Sequence, residues 1–206
     1  MGRKKQIPEE SAKHALILKT AGKMFMREGF GAVSMDALAD AVPVSKRTLY
    51  NHFKDKKALF TAVMQSRCGI IFTQLEASMQ GKGTPDEALS AIGMQFLDAV
   101  LHADSINIYR AAIMQAYQFP ELGKLFYESG PKRSVGIVTR YLEGLNKKKT
   151  LKIKNPELAA GIFLNMLSGR AQMRCMLGVR KSITRAEKEE IVAYVVQVFL
   201  HGQNYL

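Results

Sequence analysis

The apolar residues of the chain recur at intervals of three and four positions over nearly its whole length, without the alternating runs of a strand. Because this spacing places side chains on one face of an α-helix, the pattern predicts an all-α protein of about nine to ten helices. The segment 120–145 is expected to be a broken pair, interrupted at the "SGPK" of residues 129–132. The predicted helices cover residues 8–28, 34–41, 45–53, 55–79, 84–102, 104–118, 120–145, 155–177 and 184–205.

Three of these helices begin with capping residues. Residues 84–87, "TPDE", place threonine at the N-cap, proline at the first helical position and glutamate at the third. Residues 184–187, "TRAE", repeat this capping box without the proline, and Asn155 precedes Pro156 at a third start. Side-chain oxygens at these positions accept hydrogen bonds from free backbone N–H groups, so the three starts are predicted with a physical reason.

The charge of the chain is strongly positive and is denser near the amino terminus. The 206 residues include 30 Lys and Arg against 18 Asp and Glu, a net charge of +12. Residues 1–57 hold 12 Lys and Arg against 6 Asp and Glu, a net +6, and the other 149 residues hold 18 against 12, also +6. This balance favours an anionic partner, either nucleic acid, an anionic membrane or an acidic protein.

Several classes of protein have no support in the sequence. Near the amino terminus only Ala15–Leu18 form an apolar run, so neither an export signal nor a membrane span is predicted. Cys68 and Cys175 are expected to be reduced packing residues of a cytoplasmic protein. The four histidines form no metal-ligand set with them, and no phosphate loop or catalytic triad spacing occurs. We therefore predict no enzyme activity, no cofactor and no metal.

A helix-turn-helix is predicted between residues 34 and 53. Two short helices are separated by the "VPV" of residues 42–44, and each opens with a serine in N-cap position, Ser34 or Ser45. On the second helix, Leu49 and Phe53 are four residues apart and are expected to point inward. The opposite face of that helix is then free for another role.

This opposite face carries Arg47 and Asn51, with Lys46 in the first turn and Thr48 on the flank. A helix about 10 to 12 Å wide fits the major groove of DNA, and the arginine fork matches the acceptors of guanine. Thr48 could contact a thymine methyl group or a phosphate. The alternative is a basic surface helix whose charges only face water, which is the common case for an isolated charge run.

The string "MDALADAVPVSKRTLYNHFKDKKALF", residues 35–60, favours the first interpretation. It resembles the DNA-binding region of the TetR/AcrR family of bacterial regulators. That family pattern is approximately an alanine-rich helix, a Gly-Val-Ser turn, and Tyr-x-His-Phe-x-x-Lys-x-x-Leu. The resemblance extends over residues 8–65. The positions in register are Tyr50, His52, Phe53, Lys56 and Leu59.

One position departs from the family pattern, because Pro43 stands where the turn usually has glycine. Proline cannot take the positive φ that glycine often supplies. We therefore expect a differently built turn and a slightly re-aimed second helix.

The resemblance implies roles for individual residues. Lys46, Arg47 and Thr48 would face base edges. Phosphates would be held by Ser34, Tyr50, His52 and Lys56. For His52, a packed core position is the alternative. Ser45 and Asn51 complete the predicted DNA-binding set. The basic arm from Arg3 to Lys5 would either add phosphate contacts or form a disordered tail.

The resemblance also implies the organisation of the chain. Residues 1–57 would form a three-helix helix-turn-helix DNA-binding domain, and residues 58–206 a helical bundle for ligand binding and dimerisation. Within that bundle, "FPELGKLFYESGPKR" and "NPELAAGIFLNMLSG" look like a recurrent C-terminal type of the family.

An effector pocket needs an apolar lining with a few polar groups, and the central helices supply such residues, although most aromatics at helical spacing are ordinary core. Arg110 is either a surface residue or an anchor for an anionic ligand, because an unpaired buried guanidinium is costly. The candidates are Phe72, Gln95, Phe96, Tyr109, Arg110, Met114, Tyr117, Tyr127, Met166 and Met173.

The resemblance implies a two-fold homodimer made by the last two helices, and the extended apolar stripes of these helices support it. Much of each stripe must also be internal core. Paired recognition helices about 34 to 36 Å apart would read a palindromic site. The interface candidates are Phe163, Leu167, Ile191, Val195, Val198 and Phe199.

Together these features predict a sequence-specific transcriptional regulator. The resemblance implies a repressor that leaves a palindromic operator in double-stranded DNA when a small apolar or amphipathic effector binds. It would be cytoplasmic and nucleoid-associated when bound to DNA, without a membrane partner. The alternative is a basic helical module of a membrane surface or of protein interactions. The basic residues gather around a short helix instead of lining a long one, which disfavours that alternative.

Overall fold

The structure, a computed structural model, describes residues 9–78 and 83–202, apart from some side chains in α1 and α4 that include that of Cys68. The predicted basic arm from Arg3 to Lys5 lies outside these residues. The described part contains helices and no strand, which confirms the predicted all-α class. The helices are α1 (Glu9–Glu28), α2 (Met35–Ala41), α3 (Lys46–His52), α4 (Lys56–Ser78), α5 (Pro85–Val100), α6 (Ala103–Ala116), α7 (Pro120–Ser129), α8 (Pro131–Lys147), α9 (Pro156–Met176) and α10 (Arg185–Gly202).

The predicted caps are present. Thr84 Oγ1 accepts from the Glu87 N–H at 3.3 Å, and Glu87 Oε2 accepts from the Thr84 N–H at 3.0 Å. Thr184 and Glu187 form the same box at α10, with these distances at 3.2 and 2.8 Å. Asn155 Oδ1 accepts from the Leu158 N–H at the start of α9. These bonds satisfy backbone donors that a helix leaves free at its amino end.

The chain divides into two compact units. The first comprises Met1–Arg67 and Ala111–Leu125, and the second comprises Cys68–Arg110 and Phe126–Leu206. The first unit therefore includes the end of α6 and the start of α7, which are distant in sequence from its other helices. The ranges 1–57 and 58–206 remain a prediction about the two functions.

The core of the first unit is aromatic. Phe25, Phe30 and Phe60 are buried, and their ring centroids lie 5.3 to 5.8 Å apart. Phe119 adds a fourth ring, 5.4 Å from that of Phe30. This cluster joins the end of α1 to α4. The short helices α2 and α3, which alone are too short to be stable, pack on each other, and α2 also packs on α1.

The second unit has a core of apolar residues from α5, α8, α9 and α10. Phe163 of α9 and Phe199 of α10 lie 5.0 Å apart between ring centroids. At Gly93 of α5, an added Cβ would come within 3.2 Å of Val192, so glycine allows α5 and α10 to pack closely. Across both units, no helix of the described residues has the length and apolar character of a membrane span.

Candidate nucleic-acid interface

Side-chain caps define both helices of the predicted helix-turn-helix. Ser34 Oγ accepts from the Ala37 N–H at 3.0 Å, and Ser45 Oγ accepts from the Thr48 N–H at 3.1 Å. The Ser45 and Thr48 hydroxyl oxygens also share a hydrogen bond of 2.8 Å. Both serines are therefore helix caps in this structure, and their exposed hydroxyl groups keep some capacity for a further hydrogen bond.

The turn around Pro43 differs from a glycine turn. The Val44 N–H donates to the Val42 carbonyl at 2.7 Å, which closes a three-residue γ-turn centred on Pro43. The common form of this turn needs a negative φ at its centre, which proline supplies. In the described part of the chain, the non-glycine residue with a positive φ is Lys149, which lies elsewhere. The α2–α3 turn therefore contains no residue with a positive φ. This geometry accounts for proline where the family pattern has glycine.

α3 has a buried face and an exposed face, as predicted. Leu49 is completely buried and Phe53 nearly so. Arg47 and Asn51 are exposed, and neither has a hydrogen-bond or ion-pair partner in the part of the chain that the structure describes. Tyr50 is 42% exposed. The α3 face therefore presents a guanidinium group, a carboxamide and a phenol to an incoming ligand.

Lys46 has an ionic partner on the neighbouring helix. Its ammonium group pairs with the carboxylate of Asp36 on α2, and both side chains are more than half exposed. The hydrogen bond to Asp36 raises the pKa of the Lys46 ammonium. Exposed pairs of this kind stabilise a protein little. A base contact by Lys46 would require it to leave or share this partner.

His52 is partly buried and packs against other rings. Its ring centroid lies 5.7 Å from that of His14 on α1 and 6.2 Å from that of Phe53. The sequence predicts either a phosphate contact or a packed core position for this residue. The ring therefore takes part in packing, and its partial exposure leaves room for a contact with a phosphate.

Lys56 makes the most extensive polar contacts of the predicted set. Its ammonium donates to the carbonyls of Phe30 and Val33 at 2.7 Å and of Gly31 at 3.3 Å. It also lies 4.5 Å from the centroid of the Phe30 ring. Burial lowers the pKa of this ammonium from its usual 10.5. Because the three donors of an ammonium are all used, the phosphate contact predicted for Lys56 would require one of these bonds to break.

Gln115 was not found by sequence reasoning. The Gly31 N–H donates to Gln115 Oε1 at 3.3 Å, so residues 111–125 contact the loop between α1 and α2. Gln115 is 84 positions from Gly31 in sequence, and no motif indicates the contact. The same loop is held by Lys56, so two separate segments determine the conformation of the α1–α2 connection.

The candidate effector residues do not form one group. Phe72 and Phe96 belong to the core of the second unit, and Gln95 and Tyr109 are partly buried residues of the same unit. Tyr109 packs edge-to-face on Phe126 at 5.0 Å. The remaining aromatic and methionine candidates are exposed side chains of this single chain, and they are Met114, Tyr117, Tyr127, Met166 and Met173.

Arg110 is held by a helix end. Its Nε donates to the Met176 carbonyl at 2.7 Å and its Nη2 to the Cys175 carbonyl at 2.6 Å. Cys175 is a buried free thiol. The guanidinium thus caps the carboxyl end of α9, where backbone carbonyls lack helical partners. This third arrangement was not among the two expected for Arg110, and it occupies donors that an anionic ligand would need.

Most of the candidate dimer residues are already buried within the chain. Phe163, Leu167, Val195 and Phe199 lie in the core of the second unit. They have no surface to offer a partner, because their apolar faces point towards the protomer's own helices. Ile191 is partly buried and Val198 is 43% exposed. The same two helices also carry exposed apolar residues, which sequence periodicity does not distinguish from the buried ones. They are Leu158, Ile162, Met166, Met173 and Tyr194.

The described residues contain no group of three or more His, Cys, Asp or Glu side chains placed to hold a metal ion.

Comparisons with known proteins agree with the helix-turn-helix geometry. Residues 17–63 match the family described as bacterial regulatory proteins, tetR family. Residues 87–202 match the AefR-like transcriptional repressor, C-terminal domain. The alternative of a membrane-surface or protein-interaction module is not favoured by these matches.

Individual relatives cover most of the chain. The HTH-type transcriptional regulator YhgD of Bacillus subtilis (strain 168) is 39% identical over 168 residues, covering 73% of this chain and 78% of that protein. The structure of the flavonoid-responsive regulator FrrA has 29% identity and a TM-score of 0.76, covering 93% of this chain and 96% of that one. A TetR-family structure from Mesorhizobium loti MAFF303099 has a TM-score of 0.84 at 23% identity, covering 95% and 98% of the two chains, and shows the shared fold.

Other matches are shorter. The chain spans 32% of the length of the regulator YerO of Bacillus subtilis (strain 168) and 44% of the length of the activator FasR of Mycolicibacterium smegmatis.

Proposed function

Because the chain belongs to the TetR family of bacterial transcriptional regulators, we propose that it is a dimeric repressor that an effector releases from a palindromic operator. The observation that carries this proposal is the exposed face of α3, where Arg47 and Asn51 project without protein partners among the described residues. Repression follows the description of the family matched by residues 87–202, while FasR is named as an activator. Such a regulator acts in the cytoplasm, on the nucleoid.

Base recognition is assigned to the exposed face and first turn of α3. The Arg47 guanidinium would donate to the O6 and N7 atoms of a guanine, and the Asn51 amide would bind an adenine edge. Lys46 would exchange Asp36 for an acceptor in the major groove, which costs little because the pair is exposed. Thr48 stands beside them with its hydroxyl group already bonded to Ser45, so a contact through its methyl group is the simpler one.

Phosphate contacts are assigned to Ser34, Tyr50 and His52. Ser34 is the N-cap of α2, where free backbone N–H groups favour an anion, and the side chains of Tyr50 and His52 in the last turn of α3 can donate hydrogen bonds to a phosphate. Lys56 is left out of this group, because its ammonium bonds the α1–α2 loop. We propose instead that Lys56 positions the helix-turn-helix from behind.

The homodimer is proposed to form through the exposed apolar face of α9 and α10. Leu158, Ile162 and Met166 recur every four residues along α9, and Tyr194 and Val198 are four apart on α10. Four-residue spacing makes each series a continuous strip on its helix. A two-fold axis through such a surface would pair it with itself and would place two copies of α3 on one palindrome.

The effector is proposed to be a small aromatic or amphipathic molecule that binds in the second unit. FrrA is flavonoid-responsive, and this chain carries Phe72, Phe96 and Tyr109 with Gln95 in that unit. α4 is one helix from Lys56 to Ser78 and includes Phe72, so an effector that shifts α4 would disturb the bonds of Lys56 to the α1–α2 loop. Effector and operator must then weaken each other by the same factor.

Selection of bound fragments from random duplex DNA tests the operator part of this proposal. The expected product is a palindrome with half-sites about 10 base pairs apart, centre to centre, or a multiple of that spacing. Recovery of fragments without a shared sequence would contradict it. For the effector part, the selected duplex is titrated with and without flavonoids and medium-chain fatty acids. A compound that binds the protein but leaves operator affinity unchanged would argue against the coupling.

A further inference from the structure

The segment between α8 and α9 carries an unusual concentration of charge. Residues 147–154, here called the lysine loop, contain five lysines and no acidic residue. All five are exposed, and none forms an ion pair in the part of the chain that the structure describes. The acidic residues next to the loop in sequence, Glu143 and Glu157, are likewise not paired with them. The lysines are Lys147, Lys148, Lys149, Lys152 and Lys154.

The lysine loop is held in one shape by hydrogen bonds. The Thr150 N–H donates to the Leu145 carbonyl at 3.0 Å and the Lys149 N–H to the Asn146 carbonyl at 2.9 Å, which closes the end of α8. The Asn146 amide then donates to the Ile153 carbonyl at 2.8 Å and accepts from the Ile153 N–H at 2.9 Å. These bonds fix the backbone on both sides of the charged residues, so the lysines stand on an ordered support.

Ordinary helix chemistry accounts for part of this charge. Lys147 and Lys148 lie at the carboxyl end of α8, where positive charge offsets the helix dipole. Lys149 has a φ of 56°, a conformation that glycine adopts without penalty and that other residues rarely adopt. Lys152 and Lys154 lie beyond the helix. Three lysines thus remain without a stabilising role, one of them at a backbone position better suited to glycine.

The side chains of the lysine loop indicate which class of partner it can bind. Ile153 is buried and Leu151 is partly buried against the core of the second unit, so no apolar side chain is left to enter a lipid layer or to anchor a protein interface. What remains is a set of lysines without arginine, which suits sequence-independent contacts with a phosphate backbone. We propose that the lysine loop is a second DNA site, which binds the backbone of duplex DNA without sequence preference and independently of operator recognition by α3.

The test compares two triple variants of the full-length protein on a duplex that lacks the operator. The loop variant is Lys149→Gln, Lys152→Gln and Lys154→Gln, which keeps the lysines at the end of α8. The control variant, Lys124→Gln, Lys132→Gln and Lys181→Gln, removes the same charge from exposed lysines elsewhere. Thermal unfolding establishes that both variants fold, and fluorescence anisotropy then gives the affinity at a series of salt concentrations.

The loop variant is expected to flatten the plot of log affinity against log salt by about 0.9 per lysine, or about 2.7 in all. Its affinity at low salt should fall more than about tenfold, with the control close to the wild type. If the salt slope flattens equally in both variants, the effect comes from the net charge of the protein and the proposal is overturned. An unchanged salt slope in the loop variant would also overturn it. The same variants are also tested for binding to vesicles of phosphatidylserine and phosphatidylcholine in equal parts. If the loop variant loses binding to these vesicles but keeps the wild-type affinity for duplex DNA, the proposal is overturned in favour of a membrane partner.

A failure of operator recognition gives a different result. The preference for the selected operator over an unrelated duplex depends on base contacts, which the loop does not make. The loop variant should keep that ratio while losing affinity for both duplexes. A changed ratio with an unchanged salt slope would count against the lysine loop and leave the function proposed for α3 intact.

Discussion

At the residue scale, Arg47 occupies the position on which base recognition most depends. Its guanidinium projects from the exposed face of α3, and Leu49 holds the opposite face in the core. Arg47→Ala should therefore remove about 1–3 kcal/mol of discrimination at one base position without affecting the fold. Repeating the duplex selection with the variant would reveal a relaxed position in each half-site. Lys19→Ala, at an exposed position on α1, serves as the charge-matched control; if it relaxes the same position, Arg47 does not read that base.

Lys56 is predicted to contribute to stability more than to DNA affinity. Lys56→Met removes the donor from the carbonyls of Phe30, Gly31 and Val33, which should lower the free energy of unfolding by about 1–3 kcal/mol. Denaturation in urea measures this change. The neighbouring exposed residue supplies the control, Lys57→Met, with little expected effect. If Lys56→Met leaves the stability unchanged but flattens the salt dependence of DNA binding, Lys56 contacts a phosphate, as the sequence predicts.

The difference between Arg47 and Lys56 has a physical reason. The direction of Arg47 follows from helical geometry and from one neighbour, Leu49, two positions away in the same helix. The partners of Lys56 lie 23 to 26 residues earlier in the chain, in a loop whose path depends on the aromatic core. Local periodicity determines the first case and gives no information about the second.

At the scale of elements, the capping box of α10 links stability to pH. The hydrogen bonds from Thr184 lower the pKa of Glu187 below its unfolded value of 4.5. The native state is therefore favoured by the ionised carboxylate above that pH, and this contribution is lost as the pH falls through the folded-state pKa. Glu187→Gln should lower the midpoint of thermal unfolding at neutral pH and match the wild type in acid. Glu190→Gln, an exposed change on the same helix, is the control; a difference for Glu187→Gln that persists or widens in acid would contradict the assignment.

The turn between α2 and α3 also contributes to stability, through Pro43. Pro43 occupies the centre of a γ-turn, and the common form of this turn has a negative φ there, so the conformational freedom of the family's glycine is not needed. Pro43→Gly should destabilise the protein by about 0.4–1 kcal/mol, because the unfolded chain gains conformations. Comparing denaturation midpoints measures this effect. A more stable glycine variant would mean that Pro43 is strained in the native turn.

At the scale of the whole molecule, dimerisation determines whether one palindrome can be read. The double variant Ile162→Glu and Val198→Glu places charges on the exposed faces of α9 and α10 without entering the core. It should give a folded monomer in sedimentation experiments, with operator affinity reduced about 100-fold or more because two linked sites become one. Leu16→Glu on α1 changes another exposed apolar residue and should leave the dimer intact. A dimeric double variant would place the interface elsewhere.

The sequence alone determined the helices, their caps and the two faces of α3, because each depends on residues within a few positions of one another. Family membership followed from the same local strings. The tertiary structure decided the surroundings of Lys56, Arg110 and Gln115, and it separated the buried from the exposed apolar residues of α9 and α10. Those outcomes depend on which helices meet in space. A helical apolar stripe shows only that a face avoids water, and the packing of distant segments determines whether that face meets its own core or remains open to a partner.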